Sequence, residues 1–270
     1  MIGRTKRTST VRLYDEVKIP IIQINITRVD RATLSDWNFS ICDPFYRIYM
    51  MDKPGWSIQF NGIKTEMRPG MLYFIPPNTP FIAKSEKTAT QFYIMFTLNC
   101  YPFLHKHGIY SIKPSIDEMS LIASIINFSA PSSQFACAVN TQRIVTKCLS
   151  ALPESAVEVK SYSSRVVRAM ELMRKNGANV LSNSHLALET GMSTNAFVRL
   201  FQEETATSPQ KWYLKERMEA AAVKLLNSSD SLDSIAEEFG SCDRFHFTKQ
   251  FIKHKGISPA AYRKKAHWRD

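Results

Sequence analysis

The sequence predicts an α+β chain of two domains: an amino-terminal β-barrel or sandwich followed by two helices, then an all-α domain of two helix-turn-helix units. Three observations predict it. From Ile19 to about Leu98, short runs rich in aromatic and β-branched residues alternate with turn signals. Beyond Pro114 the apolar spacing changes from alternation to that of a helix. Near the carboxy terminus, Phe197, Phe201, Ser208, Pro209 and Trp212 recur at an offset of 50 as Phe247, Phe251, Ser258, Pro259 and Tyr262, so one structural unit is written twice.

Residues 1–18 form an amino-terminal arm, which opens on a basic stretch rich in Thr and Ser without the apolar h-region of a signal peptide. No later stretch reaches the roughly 18 uninterrupted apolar residues of a membrane span. A soluble, unprocessed, cytoplasmic protein is expected. Residues 19–152 make the first domain. Its clearest unit is a hairpin, Trp56–Phe60 and Ile63–Met67, joined by Asn61-Gly62, the pair that favours a type I′ turn. Pro69-Gly70 then turns the chain, Met71–Ile75 reads as a buried strand ended by Pro76-Pro77, and Thr90–Leu98 supplies another strand.

Ile116, Met119, Ile122, Ile125 and Ile126, and then Val139, Ile144, Val145, Cys148, Leu149 and Leu152, fall at helical spacing. Two amphipathic helices with such apolar faces need a partner surface. Either they pack on their own β domain, or they pair across a two-fold axis with a second subunit. Residues 153–164 lack an apolar pattern and read as a linker. From 165 to 267 the chain is helical: Arg165–Lys175 closed by Asn176-Gly177, then two helix-turn-helix units joined by a long helix through Trp212–Leu226.

Length and composition agree with this division. A chain of 270 residues suits two domains, each able to bury a core. The formal net charge of +11 favours a polyanionic partner. The charge does not locate the site, because residues 161–270 hold 17 Lys+Arg against 12 Asp+Glu and residues 1–160 hold 18 against 12. The five cysteines, with no C-x-x-C pair, suggest neither a disulfide framework nor a zinc module.

In the first unit, Ala187 and Gly191 stand four apart, letting two helices cross closely, and Ser193 caps the next helix. In the second, Ala236 and Gly240 repeat the spacing and Asp243 is the cap. Phe197/Phe201 and Phe247/Phe251, at i and i+4, face the core and leave the opposite helix face free. Two recognition helices on one chain point to double-stranded DNA and away from catalysis.

Ile235-Ala236, Gly240, Asp243, Phe247, Phe251, Gly256, Ser258-Pro259 and Tyr262-Arg263, with Arg217 and Ala221 in the connecting helix, closely resemble the signature of the AraC/XylS family of transcription regulators, over about Ser161 to His267. Through Gly62, Pro69-Gly70 and Pro76–Pro80 the β domain is similar to the cupin-like sensor domains of such regulators. Three residues depart from the family pattern. Ser241 replaces a phenylalanine, Ala206 replaces a glycine in the first unit, and Phe245 stands where a polar residue is usual. Loss of the ring at 241 costs about 3–5 kcal/mol unless Phe239 or Phe245 fills the space.

By position in the family motif, the first recognition helix offers Asn195, Val198 and Arg199 to base edges, and the second offers Arg244, His246 and Lys249. The chemistry fits: arginine bonds guanine bidentately, asparagine does the same with adenine, and valine meets a thymine methyl. Each could instead touch only phosphate or water, Lys249 above all. The resemblance further implies an effector-responsive activator that acts as a homodimer and contacts RNA polymerase.

Fifteen of the thirty aromatic residues lie between Trp37 and Phe103. Trp37, Arg47, Tyr49, Trp56, Tyr73 and Tyr93 are the candidates for a small-molecule effector pocket, with packing of a small sandwich as the competing reading. The histidine ligands of metal-dependent cupins are missing: Phe81 stands where one would follow Pro76–Pro80, and His105-Lys106-His107 reads as a surface segment past the last strand. No metal or cofactor is expected. Three rivals remain: a constitutive DNA-binding repressor whose β domain only dimerises, a metal-cupin enzyme fused to a regulator, and, from Ser241 and Phe245, a paralogue that no longer binds specific sites.

Overall fold

The computed structural model describes residues 23–34, 37–99, 103–127, 131–159, 162–176 and 179–267. The arm predicted at 1–18 lies outside them, as does Gly177. Strands β1 (Gln23–Leu34), β2 (Phe39–Ile41), β3 (Tyr46–Met51), β4 (Trp56–Phe60), β5 (Ile63–Glu66), β6 (Leu72–Ile75), β7 (Phe81–Ser85), β8 (Ala89–Asn99), β9 (Phe103–His105) and β10 (Tyr110–Ile112) build the first domain. All but β9 form a five-stranded sheet ordered β1-β8-β3-β6-β10 and a four-stranded sheet ordered β2-β7-β4-β5. The β4–β5 turn has Asn61 and Gly62 both at positive φ, as a type I′ hairpin requires.

Alternation along β3 separates two cores. Tyr49 and Met51 face the space between the sheets with Trp37, Trp56, Ile58, Tyr73 and Met95. Tyr46 and Ile48 face the other way with Phe74, Ile94 and Phe96, onto helices α1 (Ile116–Ile126) and α2 (Gln134–Ser150), which add Ile122, Ile125, Ile144, Val145 and Cys148. Ser115 and Glu118 close a reciprocal capping box at the start of α1. The helices therefore pack on their own β domain, and this does not use all their apolar surface: Ile116, Met119, Phe135 and Val139 stay exposed.

The stretch read as a linker is not featureless. It carries a short turn at Glu154–Ala156 and a strand, β11 (Val157–Val159), paired antiparallel with β9. The helical domain follows as α3 (Ser164–Lys175), α4 (Asn183–Glu189), α5 (Thr194–Thr205), α6 (Pro209–Asn227), α7 (Leu232–Glu238), α8 (Arg244–Lys255) and α9 (Pro259–His267). Helix α6 runs through both units. Its Tyr213 lies in the first core with Met170, Met173, Leu186, Phe197 and Phe201. Met218, Ala221, Ala222 and Leu225 lie in the second with Ile235, Phe247, Phe251 and Tyr262. Val223 and Leu226 of the same helix pack against the sandwich core, so α6 also joins the two domains. Among the described residues no helix is long and apolar enough to cross a membrane.

Candidate nucleic-acid interface

Each unit sets its second helix by the same local devices. Gly191 and Gly240 take φ of 66° and 64° in the turns, a region that costs a β-carbon-bearing residue steric energy. Backbone bonds Met192 N to Ala187 O and Ser241 N to Ala236 O, both 2.9 Å, tie each turn to the small residue of the preceding helix. The small residue and glycine recur at an offset of 49, the phenylalanines at 50. The second turn is therefore one residue longer: Ser241 and Cys242 stand between Gly240 and the cap, where the first unit has Met192 alone.

Ser193 Oγ accepts from Ala196 N at 3.4 Å, and Asp243 Oδ1 accepts from His246 N at 2.7 Å. The Asp243 carboxyl is held below its ordinary range, chiefly by that backbone N–H. Phe197, Phe201, Phe247 and Phe251 are fully buried, as their spacing predicts. Phe239 packs against the second core, Phe245 does not, and the Ser241 hydroxyl is buried without a partner. Of the two rings that could replace the missing aromatic, only Phe239 joins the core.

Asn195 and Arg199 are exposed on α5, with Arg199 3.7 Å from Glu203. Val198 is half-buried against the first core, so it flanks the outward face. Arg244, His246 and Lys249 are exposed on α8. Arg244 lies 3.9 Å from Asp233, and His246 Nε2 lies 2.9 Å from Gln250 Nε2. These exposed pairs hold the side chains only weakly, leaving them free for another partner. The two predicted sets do not occupy matching positions. At the offset of 50, Lys249 corresponds to Arg199, but the counterpart of Asn195 is Phe245, which family position alone did not select.

The six pocket candidates are all buried between or beside the sheets. Trp37 meets Tyr49 edge-on at 5.4 Å and Trp56 at 5.1 Å, and Tyr49 and Tyr93 are 6.4 Å apart. Arg47 is 2 % exposed and makes a bidentate ion pair with Asp43. Tyr73 has a local role: its hydroxyl accepts from Arg68 N at 2.6 Å and donates to Glu66 O at 3.1 Å. Tyr93 takes Arg28 over its ring and donates to Asp30 at 3.4 Å. A cavity of about 460 Å³ lies between β1 and α2, lined by Ile24, Ile26, Val29, Cys137 and Thr141 among others.

His105 differs from its sequence reading. It ends β9 rather than lying past the last strand, its Nδ1 sits 3.0 Å from the Tyr46 hydroxyl, and burial lowers its pKa. Among the described residues no group of three or more His, Cys, Asp or Glu side chains gathers as a metal site.

A family model described as a helix-turn-helix domain matches residues 186–265. The chain is 33% identical over 113 residues to the raffinose operon transcriptional regulatory protein RafR of Pediococcus pentosaceus, covering 42% of this chain and 41% of that protein. It is 30% identical over 151 residues to the transcriptional activator NphR of a Rhodococcus species, covering 53% and 44%. The chain thus spans less than half the length of these relatives. Unsaturated fatty acid bound wild-type ToxT from Vibrio cholerae shares the fold, with a TM-score of 0.51 at 10% identity over 90% of this chain and 94% of that one. Residues 186–265 are thus a helix-turn-helix region similar to those of these transcription regulators, and the two-domain fold of the chain is similar to that of ToxT.

Proposed function

We propose that this protein is an effector-responsive, sequence-specific transcription activator in which each subunit reads two consecutive major grooves. One observation carries the reading. Two helices with the same cap position and the same buried phenylalanine pair present exposed polar and cationic side chains, and α6 runs through both of their cores. A shared rigid element suits two readers spaced by one turn of DNA, about 34 Å. Asn195 and Arg199 serve one groove, with Val198 at the edge, and Arg244, His246 and Lys249 serve the next.

The remaining parts follow from the same reading. Exposed Ile116, Met119, Phe135 and Val139 on α1 and α2 suit a homodimer contact. The orphan donors Arg47 Nε and Trp56 Nε1 in the sandwich interior suit a small effector that bears acceptor groups. Val223 and Leu226 would pass a change in the sandwich to the reading helices, with β11 and the segment around it as the covalent link. RNA polymerase is the partner of an activator, and the cytoplasm is its place; the β domain acts as a sensor and not as an enzyme. The close mutual packing of Trp37, Tyr49 and Trp56 favours one alternative, a constitutive repressor whose β domain only dimerises.

Genome-wide mapping of bound sites, with Arg199→Ala and Arg244→Ala beside the wild type, tests the reading. Two sequence blocks about one helical turn apart, each relaxed by one substitution, are expected. Diffuse occupancy that neither substitution changes would remove the two-groove assignment. DNA affinity that stays constant across a metabolite screen would favour the constitutive alternative.

A further inference from the structure

Phe245 is 85% exposed, the second residue of α8. At about 3.6 residues per turn it lies roughly 160° around the helix from Phe247, on the face that also carries Lys249 and Ile252. Its neighbours Arg244, His246 and Lys249 are exposed as well. The ring does not serve the fold, since Phe239 and not Phe245 packs into the core beside Ser241. An aromatic ring held in water among basic side chains suits a surface that is anionic overall and apolar in spots. The major groove is such a surface, its phosphates flanking the C5-methyl groups of thymine.

The internal repeat gives the ring a register. At the offset of 50 Phe245 falls on Asn195, as Lys249 falls on Arg199 and Phe247 on Phe197. Resting on the DNA reading above, we propose that Phe245 is a specificity-determining residue that packs on thymine methyls in the groove entered by α8. The two units then read by different chemistry. Asn195 reads through hydrogen bonds, and the residue in its place on α8 reads through apolar contact.

The test is selection of bound sequences from a random duplex pool by the full-length wild type, Phe245→Ala and Phe245→Asn. Titrations follow in which each thymine of the second block is replaced by deoxyuridine, which removes only the methyl. Wild type should lose about fourfold in affinity at one or two of these positions, the equivalent of one buried methylene. Phe245→Ala should bind thymine and deoxyuridine sites alike, with an unchanged salt dependence because no phosphate contact is lost. Phe245→Asn should shift that position toward adenine, and the first block should stay the same in all three proteins. The ring is exposed, so equal melting temperatures are expected. A two-block motif with no methyl dependence, or a deoxyuridine penalty as large in Phe245→Ala as in wild type, overturns the assignment alone. Failure of the wild type to select any sequence overturns the DNA reading and the assignment with it.

Discussion

Asp43 and Arg47 form a bidentate ion pair buried between the two sheets, with Arg47 contributed by β3 and Asp43 by the chain just before it. Burial alone would push the guanidinium pKa down, but Asp43, with the Tyr49 hydroxyl, reverses the direction. The pair is neutral as a unit and costly to break. Asp43→Asn should destabilise the protein by about 3–5 kcal/mol, since a buried cation loses its counterion. The double substitution Asp43→Leu with Arg47→Met should recover most of that. Urea unfolding followed by tryptophan fluorescence checks both. Additive losses in the double variant would show that the two side chains do not act as a pair.

Tyr262 of α9 has a buried hydroxyl without a hydrogen-bond partner, and its ring meets that of Phe251 edge-on with centroids 5.3 Å apart. Burial raises its pKa, and the negative charge of Asp43 raises it further. Removing an unsatisfied buried hydroxyl while keeping the ring relieves its desolvation cost. Tyr262→Phe should therefore raise stability, by about 1 kcal/mol, in calorimetry or denaturant unfolding. A loss of similar size would reveal a partner for the hydroxyl.

The paired units are legible because their devices are local: a turn glycine, a small residue four before it, a capping side chain and phenylalanines at i and i+4. Each answers a steric or hydrogen-bonding need that only a few residue types meet. The hairpin at Asn61-Gly62 is legible for the same reason. Long-range pairings are not. Nothing near Arg47 in sequence states whether the strand turns it inward, and Asp43 becomes its partner only once the chain before β3 is placed. The strand β11 pairs with β9, some fifty residues earlier, and its Val157-Glu158-Val159 alternation is too short to announce a strand. Nothing in the sequence marks Val223 and Leu226 as a domain contact, because a helix serving two cores and a domain contact has no single apolar stripe. Aromatic content could not separate a filled sandwich from a lined pocket. Phe245 was within reach through the same offset that exposed the repeat.

Ala206 ends α5 at φ 56° and ψ 17°, the left-handed region, where Gly256 ends α8 in the second unit at φ 77°. A β-carbon in that conformation costs about 1–2 kcal/mol, and glycine gives back part of that through its freer unfolded state. Ala206→Gly should stabilise the helical domain by about 1 kcal/mol, read as a higher urea midpoint with an unchanged slope. A fall in stability would mean that the methyl group makes packing contacts worth more than the strain.

Glu219 of α6 accepts from Lys255 Nζ at 2.6 Å and pairs with His254 Nε2 at 3.0 Å, tying the connecting helix to the end of α8. Burial on its own would raise the carboxyl pKa, but His254 and Lys255 outweigh it and bring it from 4.5 to about 2. The folded value lies below the unfolded one. The stabilisation is therefore complete above the unfolded pKa, shrinks as pH falls through the interval between the two, and is gone below the folded value. A shift of this size corresponds to about 3 kcal/mol at neutral pH, and solvent at the partly exposed pair reduces it to about 2. Glu219→Gln should accordingly cost about 2 kcal/mol at pH 7. Its deficit relative to wild type should close between pH 4.5 and about pH 2. Unfolding curves of both proteins across that interval measure the closure. A deficit that stays constant with pH would assign the cost to lost packing along α6 instead of to charge.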